Sequence, residues 1–116
     1  MSRRDKIDEL LRSAIARVLS SELKDPRVRL AAVTSVSSTA DLSQARVQVS
    51  VLGSEEERSS CIDALRHAKG FVRSQLASRL RLRTVPELLF ELDRGAEYSQ
   101  RISQILEGLH DSEPGS

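Results

Sequence analysis

Three cations stand close together in the stretch LRHAKGFVRSQL: Arg66, Lys69 and Arg73, clustered around Gly70. Arginine presents a fork of donors that matches phosphate oxygens, and lysine adds a point charge. The cluster therefore reads as a seat for a polyanion. Arg79, Arg81 and Arg83 extend it, although alternate residues cannot all share one helical face. Arg3, Arg4 and Lys6 form a second basic group, either a binding arm or a frayed terminus. Other chemistries lack their residues. Cys61 and His67 are six apart on a predicted helix and do not face each other, which argues against a Cys–His pair or a zinc site. There is no P-loop and no metal-ligand spacing. Asp25, Asp41 and Asp93 fall at predicted element ends, where turns and caps commonly use aspartate. We expect no catalytic residue, no cofactor and no metal.

The charge is unevenly placed. The net formal charge is +1, but residues 66–83 carry six Lys/Arg and no Asp/Glu, flanked by −3 over residues 53–65 and −5 over residues 84–116. A local positive region on a near-neutral chain points to a placed anionic partner. A solvated, arginine-rich helix face would produce the same count.

The elements that must hold these cations are legible. Ile7, Leu10, Leu11, Ala14, Ile15, Val18 and Leu19 follow helical spacing, which predicts a helix from about Arg4 to Leu23, ending before Pro26. Val28–Ala40 is rich in β-branched residues, and Ala45–Leu52 alternates Ala45, Val47, Val49 and Val51 with polar neighbours, so an antiparallel hairpin is expected. Ser54 and Glu57 make a capping box that opens the next helix. In that helix Ile62, Leu65, Val72 and Leu76 form an apolar seam, and a straight helix would place Lys69 in it. A break at Ala68–Gly70 resets the phase and frees Lys69. After Pro86, Leu88, Phe90 and Leu92 alternate with acidic residues as a strand. Tyr98, Ile102, Ile105, Leu106 and Leu109 suggest a last helix, and residues 110–116 a disordered acidic, polar tail. Phe90 is expected in the core, with Phe71 and Tyr98 packing rather than stacking on bases. The order α-β-β-α-(break)-α-β-α describes one α+β domain over residues 1–109, with helices covering a three-stranded sheet. The chain has no apolar stretch of the ~20 residues a membrane helix needs, and its N-terminus lacks a secretory apolar region. A single cysteine fits a reducing compartment. A cytoplasmic protein that binds no membrane is expected.

Several motifs occur in the order of a known family. LKDPRV (Leu23–Val28), ADLSQARVQVSVLG (Ala40–Gly53), the AxG of Ala68–Gly70, LRLRTVPELLFELD (Leu80–Asp93) and the trailing ISQILEGL span nearly the whole domain. On these residues the chain resembles ribosome-binding factor A, a bacterial small-subunit maturation factor. The resemblance implies a type II KH-like fold in which an AxG kink at Ala68 and Gly70 replaces the usual GxxG clamp. No two glycines of this chain are three apart, in agreement. It further implies a monomeric assembly factor, not an enzyme. Such a factor binds small-subunit rRNA on free subunits rather than whole ribosomes, assists late maturation including formation of the mature 5′ end, and acts in cold adaptation. Its expected RNA contacts here are Arg66, Lys69, Arg73, Arg79, Arg81, Arg83, Arg3 and Arg4. The family often carries an extended basic C-terminal tail; here the tail is short and acidic. The alternative reading is a protein-interaction domain whose basic helices meet an acidic partner without RNA.

Overall fold

The computed structural model describes residues 2–95. The helix expected on Tyr98, Ile102, Ile105, Leu106 and Leu109, and the tail at 110–116, lie outside the described residues.

Helix α1 (Arg3–Ser21) starts at a reciprocal cap: Ser2 accepts from the Asp5 amide, and the Asp5 carboxylate accepts from the Ser2 amide. Its apolar stripe, Leu11, Ala14, Ile15, Val18 and Leu19, is buried. The chain then turns through a short 3-10 segment, Pro26–Val28, headed by the Asp25 carboxylate on the Arg27 amide. This turn shortens the strand expected from Val28, and β1 runs Ala31–Ser38. It pairs antiparallel with β2 (Gln44–Val51), from Ala31 opposite Val51 to Ser38 opposite Ala45. A bulge between Val33 and Ser35 interrupts the register. Val33 and Val36 are three apart, which period-two alternation cannot place on one face. The bulge lets Val33 pack against the core while Val36 is buried in it.

After β2, Gly53 takes φ +126°, a left-handed angle that favours glycine. Ser54 and Glu57 form the expected capping box of α2 (Glu55–His67). A second helix, α3 (Lys69–Arg79), follows with only Ala68 between. Strand β3 (Glu87–Leu92) then pairs with β2 in parallel, so the sheet order is β1-β2-β3. The helices cover one face of this mixed sheet, burying Ala45, Val47, Val49 and Val51 of β2 with Leu88 and Phe90 of β3. Phe90 lies in the core, as expected from its alternation with acidic neighbours. The opposite face carries Arg46, Gln48, Leu89 and Glu91. The architecture is α+β and agrees with the type II KH-like order.

Candidate nucleic-acid interface

The interruption of the long helix falls at Ala68, with φ −90° and ψ 1°, rather than at Gly70. Gly70 lies inside the first turn of α3. A Cβ there would meet nothing within 4 Å, and its φ is not in the left-handed region. The glycine therefore does not make the bend, which falls at the first residue of the expected Ala68–Gly70 span. Ala68 absorbs it, and its amide still bonds back to the Ala64 and Leu65 carbonyls at 3.0 and 3.1 Å. The phase shift has the expected consequence for the seam: Leu65, Val72 and Leu76 are fully buried while Lys69 is exposed. Ala68 offers no side-chain cap, and no side chain among the described residues caps the start of α3.

Three cations around the break line the outer edge of β3. The amides of Glu87 and Asp93 donate to the Ser43 and Val49 carbonyls of the β2 side, so the alternate residues Pro86, Leu88 and Phe90 turn their backbone outward. Arg66 Nη2 donates to the Phe90 carbonyl at 3.3 Å. Arg73 donates Nε to the Pro86 carbonyl at 3.1 Å and Nη2 to the Val85 carbonyl at 2.9 Å. Lys69 Nζ lies 3.6 Å from the Glu87 carboxylate. Side chains that sequence reasoning read as free surface charges thus cover a strand edge that would otherwise be open to pairing. Nothing in a linear pattern marks a side chain for a distant backbone carbonyl.

Charge and contact separate here. A carbonyl is neutral, so Arg66 and Arg73 keep their full positive charge while bonded to β3. Arg81 and Arg83 are exposed on the irregular segment after α3 and have no carboxylate partner among the described residues. In that segment Leu80, Leu82 and Val85 pack on the core, so the alternating arginines point the other way. By contrast Lys69 pairs with Glu87, and Arg79 Nη2 lies 2.9 Å from Glu22 at the end of α1. Four of the six cations in residues 66–83 therefore form no ion pair among the described residues, although Glu91 is near enough to Arg66 to feel its charge.

Arg3 and Arg4 occupy the first turn of α1 and are exposed. Asp8 of the same helix accepts from the Ser38 amide at the end of β1, which neighbours the β1–β2 turn. Glu87, the Lys69 partner, pairs with Gln44 at that same end of the sheet. The fold thus brings the first half of α1, through Asp8, and the start of β3 to the same end of the sheet.

Phe71 departs from expectation. It is 42% exposed next to Gly70 and lies outside the buried core. Tyr98 lies outside the described residues. His67 is exposed and its Nδ1 lies 2.8 Å from the Asp63 carbonyl, while Cys61 is fully buried, with its thiol pushed up by burial. On the open sheet face Arg46 holds the Glu91 carboxyl below its ordinary value through a 2.8 Å ion pair, helped by Gln48. Among the described residues no cluster of His, Cys, Asp and Glu could hold a metal, and no helix is long and apolar enough to cross a membrane.

A family model described as ribosome-binding factor A matches residues 3–106 of the chain. A ribosome-binding factor A from Carboxydothermus hydrogenoformans is 47% identical over 105 residues, covering 90% of this chain and 84% of that protein. The crystal structure of ribosome-binding factor A from Thermus thermophilus superposes with a TM-score of 0.72 at 30% identity, over 79% of this chain and 97% of that one. A homology model of the Thermus thermophilus factor, fitted into a cryo-EM map of its complex with the 30S subunit, superposes with a TM-score of 0.65 at 31% identity, over 78% and 94%.

Proposed function

The chain belongs to the ribosome-binding factor A family, and from that premise we propose that it is a non-catalytic assembly factor of the small ribosomal subunit. It binds small-subunit rRNA as a monomer in the cytoplasm. It favours free subunits over whole ribosomes and assists late maturation, including 5′-end processing. The RNA-binding domain is residues 1–109. The observation that carries this reading is the run of residues 66–83, where Arg66 and Arg73 beside the helix break and Arg81 and Arg83 beyond the far end of α3 form no ion pair among the described residues. The fitting of a related factor into a 30S complex supports the partner. Arg66, Arg73, Arg81 and Arg83 supply most of the phosphate attraction, Lys69 and Arg79 contribute on exchanging their carboxylates for phosphate, and Arg3 and Arg4 extend the surface. Gly70 and exposed Phe71 offer a backbone without a side chain and one aromatic face next to these charges.

The test is co-sedimentation of the purified protein with free small subunits and with whole ribosomes across a salt series. We expect nuclease-sensitive binding to free subunits. Replacing Arg81 and Arg83 together with alanine should leave the fold intact and lower the salt slope by about 0.7–0.9 for each phosphate no longer neutralised. In parallel, depletion of the protein should leave unprocessed small-subunit rRNA, most severely in the cold. Binding that survives nuclease treatment would favour an acidic protein partner, and an unchanged slope would remove Arg81 and Arg83 from the interface.

A further inference from the structure

The two edges of the sheet are finished differently. The β3 edge is covered by Arg66 and Arg73. The far end of the β1 edge is covered by Asp8, whose carboxylate accepts from the Ser38 amide at 3.1 Å. The near end of β1 has no such cover. The Leu52 amide donates to the Leu30 carbonyl, and the Val49 carbonyl accepts from Asp93 on its other side. This phase makes Ala31–Val51 and Val33–Val49 the non-bonded pairs of the antiparallel ladder. The amides and carbonyls of Ala31 and Val33 therefore point away from the sheet. No side chain among the described residues is bonded to them.

These groups border a cavity of about 610 Å³ whose opposite wall is Leu19 and Leu23, at and beyond the end of α1. Lys24 and Arg29 flank it, both exposed and neither in an ion pair among the described residues. Its one acidic lining residue, Asp25, is engaged by Arg27 at 2.7 Å. The groove is thus mixed in its lining, with Leu19, Leu23 and Val33 beside Ser20 and Ser21, positive at its mouth, and open along a strand edge.

We propose that this groove between the end of α1 and the free edge of β1 is a docking site for an extended, acidic segment of a protein partner, which adds as a further strand along Ala31 and Val33. The backbone chemistry selects a peptide over RNA. Each exposed residue offers one donor and one acceptor, repeating every two residues, which another strand matches with both. A phosphate would use only the amides and would face the Ala31 and Val33 carbonyls, which repel it. Lys24 and Arg29 select carboxylates, and Leu23 and Val33 offer apolar contact to alternate side chains. The bulge at Val33 and Ser35 ends the matching register, so the added strand is short. This site is separate from the basic break and does not depend on RNA binding there.

The probe is a blocked hexapeptide of alternating valine and aspartate, added to the isotopically labelled full chain. We expect the Ala31 and Val33 amide resonances to shift and their hydrogen exchange to slow. Val33→Pro removes an amide the ladder does not use, a position where edge strands accept proline, and should abolish the effect with the fold retained by circular dichroism. A second variant, Lys24→Glu with Arg29→Glu, leaves the strand untouched. It should lose about tenfold in affinity for the aspartate peptide and gain for a lysine counterpart. No protection at Ala31 and Val33 at millimolar peptide would overturn the proposal. So would an oligouridylate that shifts the same amides when the peptide does not.

Discussion

Arg73 holds the backbone that leads into β3, donating one nitrogen to the Pro86 carbonyl at 3.1 Å and another to the Val85 carbonyl at 2.9 Å. Pro86 is buried, has no amide to donate, and opens the edge strand of the sheet. Arg73 supplies from α3 the donors that a neighbouring strand would have provided. Arg66 does the same on the Phe90 carbonyl from α2. One set of side chains therefore ties both helices to the strand and leaves its charge on the surface.

Arg73→Ala should accordingly weaken the fold, not only the interface. Bonds from a charged donor contribute about 1.5–3 kcal/mol when sheltered, and exposure brings this pair below that range, so a loss of about 1 kcal/mol is expected. Arg73→Lys keeps the charge but loses the fork, and should recover the salt dependence of binding more fully than the stability. Urea unfolding at constant m separates the two effects. An unchanged midpoint for Arg73→Ala would show that the β3 edge needs no cover. Alanine substitution of the whole Arg66, Lys69 and Arg73 cluster is for the same reason a poor test of RNA binding alone.

What the sequence shows clearly is what depends on neighbours along the chain. The stripe from Leu11 to Leu19, the alternation from Ala45 to Val51 and the Ser54–Glu57 capping box are local patterns, and each appears in the structure near its expected bounds. The bend between α2 and α3 is legible because Lys69 cannot stay in an apolar seam. Its position at Ala68 is not, because alanine carries no turn signal, while Gly70 carries one it does not use. The bulge at Val33, the covering of β3 by Arg66 and Arg73, and the Arg79–Glu22 pair join residues distant in sequence or depend on register, which no local pattern encodes.

The β1–β2 turn makes stability sensitive to strong acid. Asp41 accepts from the hydroxyls of Ser43 and Thr39, each at 2.8 Å, and from the Ser43 amide at 3.1 Å, just before Leu42 takes φ 59°. These bonds, the Ser43 hydroxyl first, hold its carboxyl at about 2 against an ordinary 3.8. Because the folded value is depressed, the turn contributes fully above about pH 4 and loses its contribution as pH falls through about 2. Asp41→Asn should melt below wild type near neutral pH and converge with it as the acid limit is approached. Thermal midpoints measured across that window check this. A constant gap between the two proteins would mean that the Asp41 charge contributes nothing.

Gly70 is not required by the fold. Glycine inside a helix costs about 0.5–1 kcal/mol relative to alanine. Here neither a positive φ nor a crowded neighbour calls for it, since the space around a Cβ is empty. Gly70→Ala should therefore raise stability by about that amount, read as a higher urea midpoint at constant m. If the bare backbone of the first turn of α3 is where an RNA strand makes close contact, the added methyl should also weaken small-subunit binding. Phe71 gives an independent reading of the same surface. It is 42% exposed and outside the buried core, so Phe71→Ala leaves the core intact. If a base stacks on the ring, the substitution should lower affinity by about 1–3 kcal/mol with hardly any change in salt slope, since no charge is removed. A stabilised Gly70→Ala and a folded Phe71→Ala that both bind subunits as wild type does would move the RNA surface away from the break, toward Arg81, Arg83 and the start of α1.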